Sequence, residues 1–161
     1  MLNVLFLCTG NSCRSIMTEG LLNHYGEGRF KAFSAGSHPA GHVHPTSLAT
    51  LKAYGISTDG FHSKSWDALA DQHLDAVITV CDNAAGEICP VFFGAPVKAH
   101  WGVSDPAHFQ GTEAEIKAEF DRVFNILAVR VKAMIELPDN LDNATFTAKL
   151  NEIGQLCSPH P

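Results

Sequence analysis

The first 35 residues constrain the fold most, because an apolar run, a short turn, a helix-like stretch and a second apolar run follow one another directly. Leu2–Leu7 has the composition of a strand buried on both faces of a parallel sheet. Ser15–Tyr25 is predicted to be a helix and Phe30–Ala35 a second strand, which makes a β-α-β unit of the usual right-handed kind. The inner face of the helix is predicted to carry Ile16, Gly20 and Tyr25.

The rest of the chain continues this alternation of strands and helices. Further strands are predicted at Leu74–Val80 and Val97–Trp101. Further helices are predicted at Thr46–Tyr54, Thr112–Glu136 and Asn143–Leu156. The long helix carries an apolar stripe of Ile116, Phe120, Val123, Phe124, Leu127, Val131 and Ile135. With no repeats, linkers or low-complexity segments, the 161 residues indicate an α/β fold.

Cys8 and Arg14 bracket the turn between the first strand and the first helix, in a C-x5-R pattern. A loop that runs into a helix N-terminus directs unpaired N–H groups at the space it encloses, where they can bind an oxyanion. The positive field of such a loop favours a Cys8 thiolate, and the planar fork of Arg14 matches two oxygens of a tetrahedral anion. Ser15 can donate a hydrogen bond to Cys8. The substrate-binding residues are predicted to be Thr9, Gly10, Asn11, Ser12, Cys13 and Ser15. The alternative is an ordinary turn with a buried cysteine and a surface arginine.

Two other segments follow the carboxyl ends of predicted strands, where parallel sheets bind ligands. Cys81 follows one strand, and Asp105 lies in the loop after another. Pro106 restricts the backbone of Asp105, whose carboxyl group can protonate a leaving oxygen. An Asp-Pro pair can also be a simple turn. Cys81 and Cys89 can relay a disulfide to a nearby nucleophilic cysteine, or can be two small apolar residues.

Composition excludes several classes of function. A formal net charge of −6, without any cluster of basic residues, argues against nucleic-acid binding. No apolar stretch approaches the roughly 20 residues that cross a membrane, and no export signal is evident. Five cysteines without a C-x-x-C pair argue against a zinc ribbon and favour reactive thiols in a reducing compartment, the cytoplasm. His42 and His44 lack a third ligand and are expected to be solvated. No resident metal or cofactor is expected.

Several segments together resemble the low-molecular-weight tyrosine phosphatase superfamily, and its arsenate reductase branch in particular. They are Phe6–Ser15, Met17–Gly20, Val80–Ala84, Cys89–Pro90, His100–Gly102 and Asp105–Ala107. The resemblance covers about residues 2–135. It implies a three-layer fold, with a four-stranded parallel sheet flanked by helices. We therefore expect an arsenate reductase domain over residues 1–137 and a C-terminal extension, with a short helix and a frayed tail, over residues 138–161.

The resemblance also implies a mechanism for arsenic detoxification. Cys8 would attack arsenate, with Arg14 and the loop amides holding the oxygens and Asp105 acting as acid. Cys81 would attack the adduct and release arsenite, and Cys89 would resolve the Cys8–Cys81 disulfide. Thioredoxin or glutaredoxin would then reduce the Cys81–Cys89 disulfide.

Two rival functions remain open from the sequence. One is a low-molecular-weight tyrosine phosphatase that hydrolyses phosphate monoesters with the same Cys8, Arg14 and Asp105, although Ala107 and His108 after the acid favour a small inorganic substrate. The other is a non-catalytic anion-binding or redox-sensing protein. Some relatives bind a monovalent cation behind the loop. The positions in this chain that match that site are Asn11, Glu19, Ser34 and Asp67.

Overall fold

A computed structural model of the protein describes residues 1–81, 94 and 96–157. Its centre is a sheet of four parallel strands, β1 (Leu2–Leu7), β2 (Phe30–Ala35), β3 (Ala76–Thr79) and β4 (Val97–His100), in the order β2-β1-β3-β4. Strands β1 and β3 are central, and their side chains are buried from Val4 to Leu7 in β1 and throughout β3. The predicted α/β fold with a four-stranded parallel sheet is confirmed.

The described residues form four α-helices beside the sheet: α1 (Arg14–Tyr25), α2 (Pro45–Ala53), α3 (Glu113–Ile135) and α4 (Asn143–Ile153). Their bounds agree with the predicted ones to within three residues. Short 3-10 turns lie at Trp66–Leu69 and Pro106–His108. Helix α3 begins with a capping box, in which the Thr112 side chain and the Glu115 side chain each bind the other's backbone N–H.

Helices α1 and α3 pack against each other, and α4 packs against β4. The middle of the predicted stripe on α3, from Phe120 to Val131, is buried, whereas Ile116 and Ile135 at its ends are partly buried. Trp101, directly after β4, is fully buried against Phe6, with ring centroids 5.8 Å apart. No helix in the described ranges has the length and apolarity needed to cross a membrane.

The prediction for the inner face of α1 is right for Ile16 and Gly20 and wrong for Tyr25. The Tyr25 side chain is 42% exposed, with the Lys132 ammonium group 5.0 Å from its ring centroid. At about 100° per residue, Tyr25 lies roughly 140° around the helix from Gly20, so the two cannot share one face.

The sheet register brings the ends of three strands to one edge. Leu7 lies beside Thr79, and Thr79 lies beside His100. The residues that follow these strands are Cys8, Val80–Cys81 and the segment from Trp101 to Asp105. The chain therefore delivers a thiol, a second thiol and a carboxyl group to one end of the sheet.

Candidate active site

The loop from Cys8 to Arg14 is held from outside through its carbonyl groups. Those of Thr9, Gly10 and Ser12 accept hydrogen bonds from backbone amides of the segment 38–44, at 2.8 to 3.0 Å. The amides of residues 10–13 donate to no other described residue. The residue before helix α1, Cys13, provides no side-chain cap. Uncapped amides at a helix N-terminus are the donors that bind oxyanions.

Asn11 gives the loop its shape and connects it to the nucleophile. Its φ of +47° is in the left-handed region, which asparagine tolerates better than most residues. The fully buried side chain accepts from the Lys64 amide at 2.9 Å and donates to Ser15 Oγ at 2.9 Å. Ser15 Oγ donates in turn to Cys8 Sγ at 3.4 Å. The predicted bond from Ser15 to Cys8 is present, and Asn11 orients it.

The Cys8 thiol is buried and carries a raised pKa. A hydrogen bond with the Cys81 thiol and burial raise the pKa of Cys8, while the Ser15 hydroxyl, Arg14 and the Ser15 amide lower it. The expectation of an ionised Cys8 is therefore wrong for this arrangement, because a thiol–thiol contact stabilises the protonated form. Sequence reasoning considered only the positive field of the loop.

Cys81 lies just beyond β3, next to Cys8, and is also buried. Its Sγ is 3.6 Å from Thr9 Oγ1. The described cysteines carry no disulfide, so Cys8 and Cys81 are both present as thiols. Cys89, predicted as the next thiol, lies outside the described residues.

Cys13 is buried within the same loop. Its Sγ is 3.7 Å from Ser12 Oγ. Burial raises the pKa of Cys13, and hydrogen bonds from Ser47 and Ser12 lower it by less. A buried thiol with a raised pKa is less reactive than an exposed one.

Arg14, at the end of the loop, lies beside Asp105. Arg14 Nη1 donates to the Val103 carbonyl at 3.0 Å, and Nη2 is 3.4 Å from Asp105 Oδ2. Arg14 Nε is buried and bonds to no described group. Asp105 Oδ1 accepts from the Ala107 amide at 2.9 Å, which fixes the carboxyl group. The site thus joins a thiol, a guanidinium with an unpaired buried N–H and a carboxyl group.

Of the residues that match the cation site of some relatives, Ser34 and Glu19 are in contact. Ser34 Oγ donates a short hydrogen bond to Glu19, and burial raises the pKa of Glu19. Asp67 is exposed at the start of a 3-10 turn.

The two histidines of the segment before α2 have different surroundings. His42 is exposed, whereas His44 Nδ1 accepts a hydrogen bond from the Thr46 amide and caps α2.

Two residues of the site escaped sequence reasoning. A Cβ on Gly36 would lie 2.4 Å from the Thr9 carbonyl oxygen and 2.8 Å from that of Cys8, so only glycine allows β2 to approach the loop this closely. Arg130 on α3 is fully buried and donates to the carbonyls that precede Asp105. Neither residue belongs to a motif, so the sequence carries no local signal for them.

A groove of 480 Å³ lies beside the acid. It runs between the N-terminal turns of α2 and α3, and Pro106, Ala107, Phe109, Ile116 and Phe120 are among the residues that line it. Phe109 is 38% exposed at its edge. The sequence prediction considered Ala107 and His108 after the acid and did not anticipate an apolar surface supplied by Phe109.

Comparison with known proteins agrees with this geometry. Residues 3–157 match the family described as low molecular weight phosphotyrosine protein phosphatase. An arsenate reductase of Bacillus subtilis (strain 168) is 38% identical over 133 residues, 83% of this chain and 94% of the relative.

Solved structures are similar as well. A structure titled "An arsenate reductase in the phosphate binding state" has a TM-score of 0.69 and 30% identity, covering 84% of this chain and 97% of that one. A thioredoxin-dependent arsenate reductase of Corynebacterium glutamicum has a TM-score of 0.57 and 28% identity, covering 82% of this chain and 62% of that one.

Proposed function

The chain belongs to the low molecular weight phosphotyrosine protein phosphatase family, and from this premise we propose that it is an arsenate reductase. The observation that carries the proposal is the contact between the buried thiols of Cys8 and Cys81. Hydrolysis of a phosphate ester needs one thiol and a water molecule, whereas reduction of an oxyanion needs a second thiol to supply electrons. The relatives at 33–38% identity are named as arsenate reductases, which supports the same reading.

In the proposed first step, the Cys8 thiolate attacks the arsenic atom of arsenate. A sulfur–arsenic bond forms and an arsenic–oxygen bond breaks, while Asp105 protonates the leaving oxygen. Arg14 and the amides of residues 10–13 hold the remaining oxygens. The Cys8 thiol loses its proton to solvent before this attack, and Ser15 and Arg14 stabilise the resulting thiolate.

In the second step, Cys81 loses its proton to solvent and attacks Cys8 Sγ. A disulfide forms and the sulfur–arsenic bond breaks. The electron pair of that bond stays with arsenic, which is reduced from As(V) to As(III) and leaves as arsenite. Cys89 then attacks Cys81, which frees Cys8. Thioredoxin or glutaredoxin in the cytoplasm reduces the Cys81–Cys89 disulfide with two electrons and two protons.

Arsenate-dependent NADPH consumption tests the proposal, with either a thioredoxin or a glutaredoxin system supplied. We expect turnover by the wild type, and a loss of at least about 100-fold in kcat for Cys81→Ser and Cys89→Ser. Cys157→Ser, which changes an exposed cysteine outside the site, serves as the control and should retain wild-type kcat. Wild-type turnover by Cys81→Ser would refute the relay.

A second candidate is a phosphatase that hydrolyses phosphate monoesters with Cys8, Arg14 and Asp105. The groove beside Asp105 favours it, because Phe109 and Ile116 offer an apolar surface to an organic leaving group. Under the main proposal this activity is weak. Rapid hydrolysis of a tyrosyl phosphate, together with no NADPH consumption on arsenate, would establish the phosphatase instead.

A further inference from the structure

Arg130 is a buried arginine without an ion pair in the part of the chain that the structure describes. It is fully shielded from solvent within α3. Nη1 donates to the carbonyls of Trp101 and Gly102 at 2.9 and 3.1 Å, and Nε donates to the carbonyl of Leu156 at 3.1 Å. Burying a guanidinium is costly, and three hydrogen bonds to backbone carbonyls offset that cost. Its partners come from two segments outside its own helix.

The first of these segments leads from β4 to the proposed acid, and we call residues 101–105 the acid loop. Besides Arg130, two other arginines hold it. Arg14 binds the Val103 carbonyl, and Arg122 Nη2 donates to Ser104 Oγ at 2.8 Å. Each residue between β4 and Asp105 thus has a guanidinium partner. The backbone just before the carboxyl group is held from the loop side and from α3.

The second segment is the C-terminal one, which packs onto the start of the acid loop. The fully buried Trp101 donates through Nε1 to the Leu150 carbonyl at 2.8 Å, and the His100 amide donates to Asn151 Oδ1 at 3.1 Å. A Cβ on Gly154 would lie 2.3 Å from the His100 carbonyl oxygen. The φ of Gly154 is −61°, which any residue adopts, so close approach alone requires glycine there.

We propose that residues 143–156 form a platform that fixes the acid loop, and that Arg130 is the positioning residue that joins platform and loop. The inference rests on the proposed function, in which Asp105 is the acid. Without the bonds from Arg130, the Trp101 and Gly102 carbonyls lose their partners, and the Asp105 carboxyl group is displaced from the leaving oxygen. Arg14 and the loop amides still bind the oxyanion, so kcat falls while KM for arsenate is retained.

Four variants of the full-length chain test the proposal. Arg130→Met removes all three hydrogen bonds, whereas Arg130→Lys keeps the positive charge but not the several donors of the guanidinium group. Gly154→Ala leaves Arg130 intact and pushes the platform away from His100. Arg29→Met is the matched control. Arg29 also donates to carbonyls, those of Ile135 and Leu137, but it lies outside the acid loop and the platform.

We expect kcat to fall about tenfold or more for Arg130→Met and Gly154→Ala, since general acid catalysis contributes 100-fold or more in typical enzymes. KM for arsenate should stay within about twofold, as expected when ground-state binding is intact. Arg130→Lys should recover part of kcat, and Arg29→Met should keep wild-type kcat even where its stability falls.

Hydrogen exchange of backbone amides gives a second readout. The Val103 and Ala107 amides, bonded to Val80 and Asp105, should exchange faster in the Arg130 and Gly154 variants than in Arg29→Met.

Wild-type kcat and wild-type exchange at these amides in a folded Arg130→Met or Gly154→Ala protein would overturn the proposal. A parallel rise in KM would also count against it, because it would mean that the oxyanion loop had moved too. If Arg130→Met fails to fold, Gly154→Ala and Arg130→Lys decide the question. If the wild type does not reduce arsenate at all, the proposed function fails, whereas the exchange measurement still decides whether the platform fixes the acid loop.

Discussion

At the scale of single residues, the protonation of Cys8 depends on a balance between neighbours of opposite effect. The Cys81 thiol and burial raise its pKa, and Ser15 and Arg14 lower it. Asn11 keeps Ser15 oriented through a 2.9 Å hydrogen bond. A nucleophile whose protonated form is favoured is less prone to oxidation, because the thiolate is the reactive form.

Two substitutions should move the Cys8 pKa in opposite directions. Cys81→Ala removes the largest raising contribution, so Cys8 should react with iodoacetamide at lower pH than in the wild type. Ser15→Ala removes a bond to the thiolate, so the reaction should require higher pH. The rate of Cys8 alkylation against pH, followed by mass spectrometry, measures both. Cys157→Ala should leave the profile unchanged, and an unshifted profile for Cys81→Ala would contradict the thiol–thiol contact.

At the scale of elements, the oxyanion loop depends on how closely strand β2 can pass behind it. Gly36 follows β2 and lies against the Thr9 and Cys8 carbonyls. The Gly36 amide donates to the Lys64 carbonyl at 2.9 Å, and the Lys64 amide in turn donates to Asn11. The segment at Lys64 therefore contacts both the residue after β2 and the oxyanion loop. The loop shape is thus imposed by a neighbouring strand as well as by its own residues.

Gly36→Ala should therefore damage both stability and activity. Its Cβ would meet backbone oxygen atoms at 2.4 and 2.8 Å, which cannot move without distorting the loop. We expect a loss of about 1–3 kcal/mol in the free energy of unfolding, typical of overpacking, together with a large loss of kcat. Gly20→Ala is the matched control, since the atoms nearest to its Cβ would be the ends of the Leu51 and Phe61 side chains. Equal effects of the two variants in urea denaturation would be inconsistent with this account.

At the scale of the whole molecule, Glu19 is a partly buried carboxyl group that opposes stability at neutral pH. Burial raises its pKa, while Ser34, Lys64 and His62 lower it by less. Because the pKa in the folded state exceeds the unfolded value, the native state binds the proton more tightly. The stability that this proton contributes is present at low pH and is lost as the pH rises through the raised pKa.

Glu19→Gln should therefore stabilise the protein at pH 7, because the amide keeps a partner for Ser34 without the buried charge. The gain in the free energy of unfolding should shrink towards pH 4, where the wild-type carboxyl group is protonated. Urea denaturation at both pH values measures it, in buffers without alkali-metal salts, since a bound monovalent cation would favour the ionised form. A variant that is less stable at pH 7 than the wild type would show that the ionised carboxylate is instead a net stabilising group.

Much of the fold follows from local patterns. The apolar strands, the stripe on α3 and the glycine and proline residues at element ends predicted every α-helix and strand that the structure describes, because burial imposes a period on the sequence. The two 3-10 turns were not predicted. Tyr25 was misassigned where that period was not applied. The positions of Cys8, Arg14 and Asp105 near one another follow from the same patterns, since carboxyl ends of parallel strands share an edge.

The sequence by itself determined the elements, their order and the chemistry at the strand ends, because each depends on residues close in the chain. Only the tertiary structure decided the contact of Cys8 with Cys81, the approach of Gly36 to the loop and the bonds from Arg130 to the acid loop. These contacts join segments that are 27 or more residues apart, at distances of a few ångströms. Packing at that precision depends on the whole set of neighbours, and no local pattern in the sequence records it.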